Sequence, residues 1–232
     1  MEKDCAMNER KRIGAFFDFD GTLIDAESGR IGFKYLYDMK EIPFFFLLKV
    51  LASDFLYQRN LISDTRMAAT MLQFYKKRDL KVFEAEADAF YHTHLKPHLA
   101  PTILAMLSRH RREGHTLVLI SASIRYMLKP AVKDLGFGHL LCTDLETGAD
   151  GTLTGNPKGP ICIADQKRVA AVALSNRIGI DMDQSYAYGN HHSDIPLLEA
   201  VGNPIAVEPS LTLKKHAQKK NWPILNFTRE FE

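Results

Sequence analysis

The chain has 232 residues, of which 46% are hydrophobic and 25% are charged, a composition typical of a globular protein with a substantial core. Thirty basic and 28 acidic side chains leave a net charge of +2, so no broad positive field favours nucleic acid. The three cysteines, Cys5, Cys142 and Cys162, have no CxxC spacing, which argues against a disulfide framework or a zinc site. We therefore expect a cytoplasmic protein without nucleic-acid partners.

A buried strand opens the predicted fold. Residues 13–18 (IGAFFD) form a continuous apolar run that ends in an acid, a pattern typical of a buried parallel strand. Gly21 and Thr22 follow as turn residues. The acid is therefore expected at the tip of this strand.

A helical block follows the first strand. From about Ser28 to Leu95 the apolar residues recur with a period of 3.6, and no convincing strand interrupts them. The longest apolar stretch, residues 42–57, contains Lys49 and Asp54 and is too short and too charged to span a bilayer. We predict an all-helical cap subdomain, residues 28–96, inserted after the first strand.

Strands and helices alternate after Pro97. The predicted segments are helix 101–113, strand 116–121, helix 124–135, strand 138–143, a hairpin around Asp150 and Gly151, helix 165–179, strand 184–189, helix 194–201, strand 203–207, helix 210–219 and a strand near Ile224. This alternation predicts an α/β core, residues 13–27 and 97–226, with a doubly wound, Rossmann-like parallel sheet.

Polar side chains follow the predicted strands where ligands bind in an open parallel sheet, at the carboxyl ends. The first strand presents Asp18 and Asp20, the second presents Ser121, and a later one presents Asn190 and Asp194. Carboxylates, a hydroxyl and metal-seeking oxygens around one pocket suit phosphoryl transfer, in which several negative charges must be neutralised.

Four motifs in order resemble the haloacid-dehalogenase-like superfamily. They are Asp18-Phe19-Asp20-Gly21-Thr22, Leu119-Ile120-Ser121, Lys167 at a helix start, and the segment YGNHHSDIPLLEAVGNPIAV. The helical insertion and the phrases DGTLTG, SDIPLLEAVGNPIAVEP and NWPIL are similar to the phosphoserine-phosphatase-like branch. The resemblance implies a phosphatase acting on a small phosphate ester.

The resemblance also implies a role for each site residue. Asp18 would be the nucleophile that forms an aspartyl-phosphate, and Asp20 the general acid and base. The residues implied to hold Mg²⁺ are Asp18, Asp20 through its carbonyl, Asn190 and Asp194. Those implied to bind phosphate are Gly21, Thr22, Ser121, Ala122 and Lys167. Glu27, nine residues after Asp18, matches the acidic residue that recognises substrate in phosphoserine phosphatases.

Two positions leave alternatives open. Asn190 stands where the family usually has Asp, so weaker Mg²⁺ binding is expected, and a catalytically impaired binding protein is the rival interpretation. Lys158 is an alternative to Lys167 as the phosphate lysine, although the register after the hairpin favours Lys167. Retention of Asp20 favours phosphate esters over halides, because expulsion of a halide needs no proton.

The side chains outside the four motifs have simpler interpretations. His92, His94 and His98 lack a complete ligand set and are expected at the surface, as are the loop residues His191 and His192. Phe44, Phe45 and Phe46 are expected to pack within the cap, but this apolar segment could also line the entrance or touch a lipid surface. A phosphatase of an amphiphilic or lipid phosphate is therefore the alternative function.

A phosphoserine site also needs a cation for the substrate carboxylate, and Arg66 is the candidate in the cap. The sequence leaves the substrate and the oligomeric state open.

Overall fold

A computed structural model describes residues 11–59 and 61–227, and Cys5 lies outside these ranges. The strands of the described residues are β1 Arg12–Asp18, β2 Thr116–Ile124, β3 His139–Thr143, β4 Leu145–Thr147, β5 Leu153–Pro157, β6 Ile180–Gly189, β7 Asn203–Val207 and β8 Ile224–Leu225. Six of them form a parallel sheet in the order β3-β2-β1-β6-β7-β8, and β4 and β5 form a separate antiparallel hairpin.

Helices cover the sheet and form the inserted segment. They are α1 Ser28–Asp38, α2 Phe44–Gln58, α3 Asp64–Leu72, α4 Leu80–Phe90, α5 Pro101–Arg112, α6 Arg125–Leu135, α7 Asp165–Ile178, α8 Ile195–Leu198 and α9 Leu211–Lys220. Short 3-10 turns span Gln73–Tyr75, Lys96–His98 and His192–Asp194, and a π-helical turn spans Tyr91–Leu95.

The first strand lies in the middle of the sheet because its residues are apolar on both faces. Ala15, Phe16 and Phe17 are completely buried. β1 pairs in parallel with β2 on one side and β6 on the other, so the strand order reverses at β1. Ligands of doubly wound sheets bind at the carboxyl end of such a point, and Asp18 is the last residue of β1.

Between β1 and α5 the described residues form helices and helical turns joined by loops, with isolated β-bridges at Asp20, Ile24 and Leu99 and no strand, as predicted. Side chains at two helix starts accept hydrogen bonds from free backbone N–H groups: Ser63 Oγ from Arg66 N at α3, and Asp79 Oδ1 from Lys81 N at α4. The predicted α/β class with an all-helical insertion after the first strand is confirmed. We call residues 28–96 the cap, and its existence as a separate subdomain stays a prediction.

Three predicted elements differ from the structure by more than one residue. The strand predicted over 116–121 continues to Ile124, and the strand predicted over 184–189 begins at Ile180. The helix predicted over 194–201 is a 3-10 turn followed by the four-residue α8. The helix is short because the chain must return to the sheet at Gly202, where an added Cβ would overlap the carbonyl oxygen of Asp183.

The hairpin of β4 and β5 contacts the cap. The backbone N–H of Lys77 donates to the carbonyl of Leu153 (2.7 Å), and the N–H of Leu153 donates to the carbonyl of Arg78 (2.9 Å). Gln73 Nε2 donates to the carbonyl of Gly155 (2.9 Å). Gly155 has φ +84°, and an added Cβ would lie 2.9 Å from Cβ of Lys76.

Helix α2 is apolar on its solvent side. Phe44 and Phe45 are 66% and 83% exposed, and Leu48 and Phe55 continue the exposed face. Of the three phenylalanines expected to pack, Phe46 alone contacts the core, so that prediction is wrong for Phe44 and Phe45. No helix in the described ranges is long and apolar enough to cross a membrane.

Candidate active site

A cleft of about 780 Å³ lies where the carboxyl ends of β1, β2 and β6 face the cap. The predicted site residues that line it are Asp18, Asp20, Glu27, Ser121, Ala122, Lys167 and Asn190. The structure therefore brings together residues that are up to 172 positions apart in the chain. Gly21, Thr22 and Asp194 lie next to these residues but do not line the cleft.

Lys167 joins the tip of β1 to the loop after β6. Its Nζ donates to Oδ1 of Asp18 (2.7 Å) and to Oδ1 of Asp194 (2.6 Å), and all three side chains are buried. Burial alone would lower the pKa of Lys167, but the two carboxylates outweigh it and raise this pKa. Lys158 is exposed and lies outside the cleft, so Lys167 is the lysine that the fold delivers to the site.

Asp18 is a buried carboxylate with one oxygen in an ion pair. Burial raises the pKa of Asp18 well above its usual range, and the Lys167 ammonium acts in the opposite direction. Among the described residues, its ion pair uses Oδ1, so Oδ2 is free to face a metal or a phosphorus atom.

Asp194 organises the loop that follows β6. Its Oδ2 accepts hydrogen bonds from the backbone N–H groups of Asn190 (3.1 Å) and His191 (3.0 Å), and its Oδ1 accepts from Lys167. These contacts orient Lys167 and the loop. Direct ligation of a metal by Asp194 stays a prediction.

Asp20 is held by two residues that the sequence analysis missed. Its Oδ1 accepts a hydrogen bond from the backbone N–H of Ser28, the first residue of α1, and its Oδ2 accepts from Ser123 Oγ (2.8 Å). The hydroxyls of Ser28 and Ser123 are 2.9 Å apart. A signal was present, because the first N–H groups of any helix lack partners and attract carboxylates.

Ser121 and Ala122 lie in the carboxyl-terminal part of β2, where its pairing with β3 is irregular between Ile120 and Ile124. Ser121 is buried, and its Oγ accepts a hydrogen bond from the backbone N–H of Ser123 (3.0 Å). Thr143 Oγ1 donates to the carbonyl of Ala122 (2.7 Å), which fixes the peptide that enters the cleft. Both residues are placed where the phosphate-binding prediction requires, and their role stays a prediction.

Gly21 and Thr22 shape the loop after β1. Gly21 has φ +65°, a conformation that favours glycine, and an added Cβ would overlap the side-chain amide of Asn190. Thr22 is completely buried, and within the described residues its Oγ1 has no hydrogen-bond partner. Phosphate binding by these two residues stays a prediction.

The residues present fit Mg²⁺. The carboxylate of Asp18, the carbonyl of Asp20 and the amide of Asn190 offer oxygen ligands, which this hard cation prefers. The side-chain amide of Asn190 packs against Gly21, in the loop that carries both aspartates. The set contains no nitrogen or sulfur ligand that would favour a softer metal.

Acidic and aromatic side chains make up much of the lining of the cleft. Glu27 lies beside Asp20, and partial burial together with the Asp20 charge raises the pKa of Glu27. The other carboxylates and the tyrosine and phenylalanine rings that line the cleft are Asp54, Asp64, Glu86, Tyr35, Tyr57, Tyr75, Tyr126, Phe33, Phe74, Phe83 and Phe90.

Arg66 is not among the lining residues and is exposed on α3, so the prediction that it faces the substrate is wrong. It lies at a position of α3 that points away from Met67 and Met71, which do line the cleft. Arg30 and Lys34 are the cap cations on the lining.

The histidines divide into two groups. His92, His94 and His98 do not line the cleft, and His98 pairs with Asp25 (2.8 Å). His191 lines the cleft and is half-buried, whereas His192 is exposed as expected.

Known proteins resemble this chain in sequence. A model of the haloacid dehalogenase-like hydrolase family matches residues 15–199. A histidinol-phosphatase of Neisseria meningitidis serogroup C (strain 8013) is 28% identical over 223 residues, which is 92% of this chain and 98% of that protein.

Solved structures share the fold. A protein of unknown function from Bordetella pertussis Tohama I is 26% identical with a TM-score of 0.83 and covers 94% of this chain and 99% of its own. A phosphoserine phosphatase, solved as an analogue of its phospho-aspartyl intermediate, is 17% identical with a TM-score of 0.66, covers 95% and 96% of the two chains, and shows the shared fold alone.

The fold and the carboxylate cluster at its strand ends define a hydrolase of the α/β type. The family model covers more than half of the chain, so the chain belongs to the haloacid dehalogenase-like hydrolase family. The predictions of this superfamily and of an enzyme of the phosphatase class are confirmed. With phosphoserine phosphatases the chain shares the fold.

Proposed function

We propose that this phosphatase uses Mg²⁺ and a covalent aspartyl-phosphate on Asp18 to hydrolyse a small phosphorylated metabolite. One observation carries the proposal: Asp18 keeps a free Oδ2 at the edge of the cleft while Asp20, two residues later, is held at the same edge by Ser28 and Ser123. A nucleophile and a separate proton carrier therefore face one substrate position.

The first half of the reaction transfers the phosphoryl group to the protein. Oδ2 of Asp18 forms a bond to phosphorus as the bond from phosphorus to the ester oxygen breaks, and Asp20 donates a proton to the leaving oxygen. Lys167 and the part of β2 at Ser121 and Ala122 face the phosphoryl oxygens and offset their negative charge.

The second half returns the protein to its starting state. Asp20, now a carboxylate, takes a proton from water as the water oxygen bonds to phosphorus and the bond from phosphorus to Asp18 breaks. Phosphate leaves. Mg²⁺, held by Asp18, the carbonyl of Asp20 and Asn190, would supply positive charge to the phosphoryl oxygens and favour the ionised form of Asp18.

The cleft supports a substrate with an amino group and an apolar body. Glu27 and the cap carboxylates Asp54 and Glu86 suit an ammonium group, and the aromatic lining suits a flat apolar group. The Neisseria relative is a histidinol-phosphatase, and histidinol phosphate carries an ammonium group and an aromatic ring but no carboxylate. An amino-alcohol phosphate of this kind is the substrate that we propose.

An amphiphilic phosphate is the second candidate. Helix α2 exposes Phe44 and Phe45 to solvent, and the same helix lines the cleft through Val50, Leu51 and Tyr57. An acyl chain could therefore follow one continuous apolar surface from the cleft to a lipid layer.

Asp18→Asn tests the covalent mechanism. Hydrolysis of p-nitrophenyl phosphate should require Mg²⁺ and should fall by about 10³-fold or more in this variant, because an amide is a poor nucleophile. Asp38→Asn, an exposed carboxylate paired with Lys34, is the matched control and should retain full activity. Mass spectrometry after an acid quench should find phosphate on Asp18 of the unaltered chain. Turnover by Asp18→Asn, or a chain inactive at every Mg²⁺ concentration, would contradict the proposal and favour the binding-protein interpretation.

A substrate panel tests the leaving group. We expect kcat/KM to be highest for histidinol phosphate and lower for phosphoserine, glycerol phosphate and a short-chain lipid phosphate measured under one set of conditions. Glu27→Gln should reduce kcat/KM for the amino phosphates more than for glycerol phosphate. A preference for phosphoserine that is lost in Arg30→Ala would overturn this substrate class, and a preference for the lipid phosphate would favour the second candidate.

A further inference from the structure

A second group of ligand-type side chains lies where the cap meets the loop after β6. Asp64 is the first residue of α3, and His191 and His192 follow β6. Oδ2 of Asp64 is 4.0 Å from Nδ1 of His191 and 3.6 Å from Nε2 of His192. One ligand atom from each of the three residues lies within 4.8 Å of the other two.

These separations are close to those of a metal site. Ligand atoms about 2.1 Å from a tetrahedral zinc ion are roughly 3.4 Å apart. The two distances to Asp64 exceed this value by about 0.6 Å or less, so small side-chain rotations would bring Asp64 into the geometry of a shared ion with each imidazole. The side chains of Asp64, His191 and His192 are 20%, 37% and 48% exposed, which leaves a path for an ion to enter.

A neighbouring hydroxyl contacts one of the three ligands. Ser193 Oγ lies 3.0 Å from Nδ1 of His191, so Ser193 must rotate aside for that nitrogen to bind a metal. Asp64 and His191 both line the cleft, which gives an ion access to them.

We propose that Asp64, His191 and His192 bind a divalent transition metal of the Zn²⁺ type and that this ion joins the cap to the loop after β6. Two imidazoles and one carboxylate suit Zn²⁺, whereas Mg²⁺ prefers oxygen ligands alone. The site uses none of the residues assigned to the Mg²⁺ of the proposed reaction. Since the cleft lies between the cap and this loop, an ion at the site would hold the cleft closed.

Titration calorimetry with ZnCl₂ in buffer that contains excess Mg²⁺ tests the site directly. We expect one Zn²⁺ per chain. Asp64→Ala and His192→Gln should each weaken binding by at least about tenfold, because loss of even a supporting partner typically costs roughly 10–100-fold in metal affinity. His216→Ala is the matched control, since His216 pairs with Glu199 (3.1 Å) and no third ligand completes that pair among the described residues. The control should bind Zn²⁺ as the unaltered chain does.

Calorimetry can overturn the proposal in two ways: no saturable binding to the unaltered chain, or equal affinity in all three variants. His192 is exposed, so His192→Gln preserves the fold even if Asp64→Ala does not. Because binding is measured without turnover, it can succeed or fail independently of the proposed phosphatase mechanism.

Hydrogen exchange tests the connection between cap and core. Zn²⁺ should slow amide exchange in α3 of the unaltered chain and leave α3 of His192→Gln unchanged. Saturable Zn²⁺ binding without added protection of α3 would overturn the bridging role.

Discussion

The side-chain amide of Asn190 occupies the space that a Cβ atom on Gly21 would need. This contact places the first polar residue after β6 against the loop that carries Asp18 and Asp20. Two features therefore require glycine at residue 21: the positive φ of its backbone and the close approach of the Asn190 side chain. Asn190 itself stands at the position where the resemblance leads us to expect a carboxylate.

Asn190→Asp should strengthen Mg²⁺ binding. A carboxylate adds negative charge toward a hard cation, and a gain of about 1 kcal/mol corresponds to roughly a fivefold lower Mg²⁺ concentration for the half-maximal rate. The rate of p-nitrophenyl phosphate hydrolysis as a function of Mg²⁺ measures this. Asn190→Ala is the control and should require more Mg²⁺ than the unaltered chain. A higher Mg²⁺ requirement in Asn190→Asp would show that Asn190 is not a ligand.

Asp20→Asn should slow alkyl phosphates more than p-nitrophenyl phosphate. General acid catalysis is worth roughly 10²-fold or more when the leaving group needs a proton, and p-nitrophenolate scarcely needs one. Comparison of kcat/KM for glycerol phosphate and p-nitrophenyl phosphate measures the difference. Ser123→Ala keeps the carboxylate but removes its 2.8 Å hydrogen bond, so it should show a smaller loss with the same substrate dependence. Equal losses on both substrates would contradict the acid role.

Stability should fall as the pH decreases from about 6.5 toward 4. Burial, with a further contribution from His115, lowers the pKa of His110 to about 4, whereas in the unfolded chain a histidine has a pKa of about 6.5. In this window the unfolded chain binds a proton that the folded chain does not, so the free energy of unfolding decreases as the pH decreases, by at most about 1.4 kcal/mol per pH unit for this group.

Urea unfolding between pH 4.5 and 7.5 measures this slope. His110→Gln should lower stability at pH 7, because it removes the contact of Nε2 with the Tyr188 hydroxyl (2.8 Å), but it should flatten the pH dependence. His92→Gln, an exposed residue, should keep the slope of the unaltered chain. An unchanged slope in His110→Gln would assign the effect to other groups.

Sequence patterns were sufficient for the residues at strand ends. The alternation of strands and helices predicts that Asp18 and Asn190 lie at one edge of the sheet. Lys167, 149 positions after Asp18 and at a helix start, is implied by the resemblance alone. The strands on either side determine where a buried strand ends, so a polar residue at its carboxyl end must lie at the ligand-binding edge of the sheet.

Contacts that depend on the packing of the cap could not be predicted. Periodicity shows which face of α3 is apolar but not its rotation or height over the sheet. It therefore leaves open whether the candidate Arg66, which is exposed, reaches the cleft, and it does not predict the approach of Asp64 to His191. The hydrogen bond from Ser28 to Asp20 likewise depends on the angle at which α1 leaves the loop.

The hairpin changes the mechanics of the cap. The chain enters and leaves the cap near residues 27 and 97, and a body attached at two points can swing about the line between them. The backbone hydrogen bonds of Leu153 with Lys77 and Arg78 add a third attachment that involves a different part of the chain. For an attachment outside the line through residues 27 and 97, rotation of the cap requires that the hairpin moves with the cap or that both hydrogen bonds break. The tip of the hairpin, remote from Asp18 in sequence, is therefore a place where substitutions could alter how fast product escapes without altering the bonds made and broken at phosphorus.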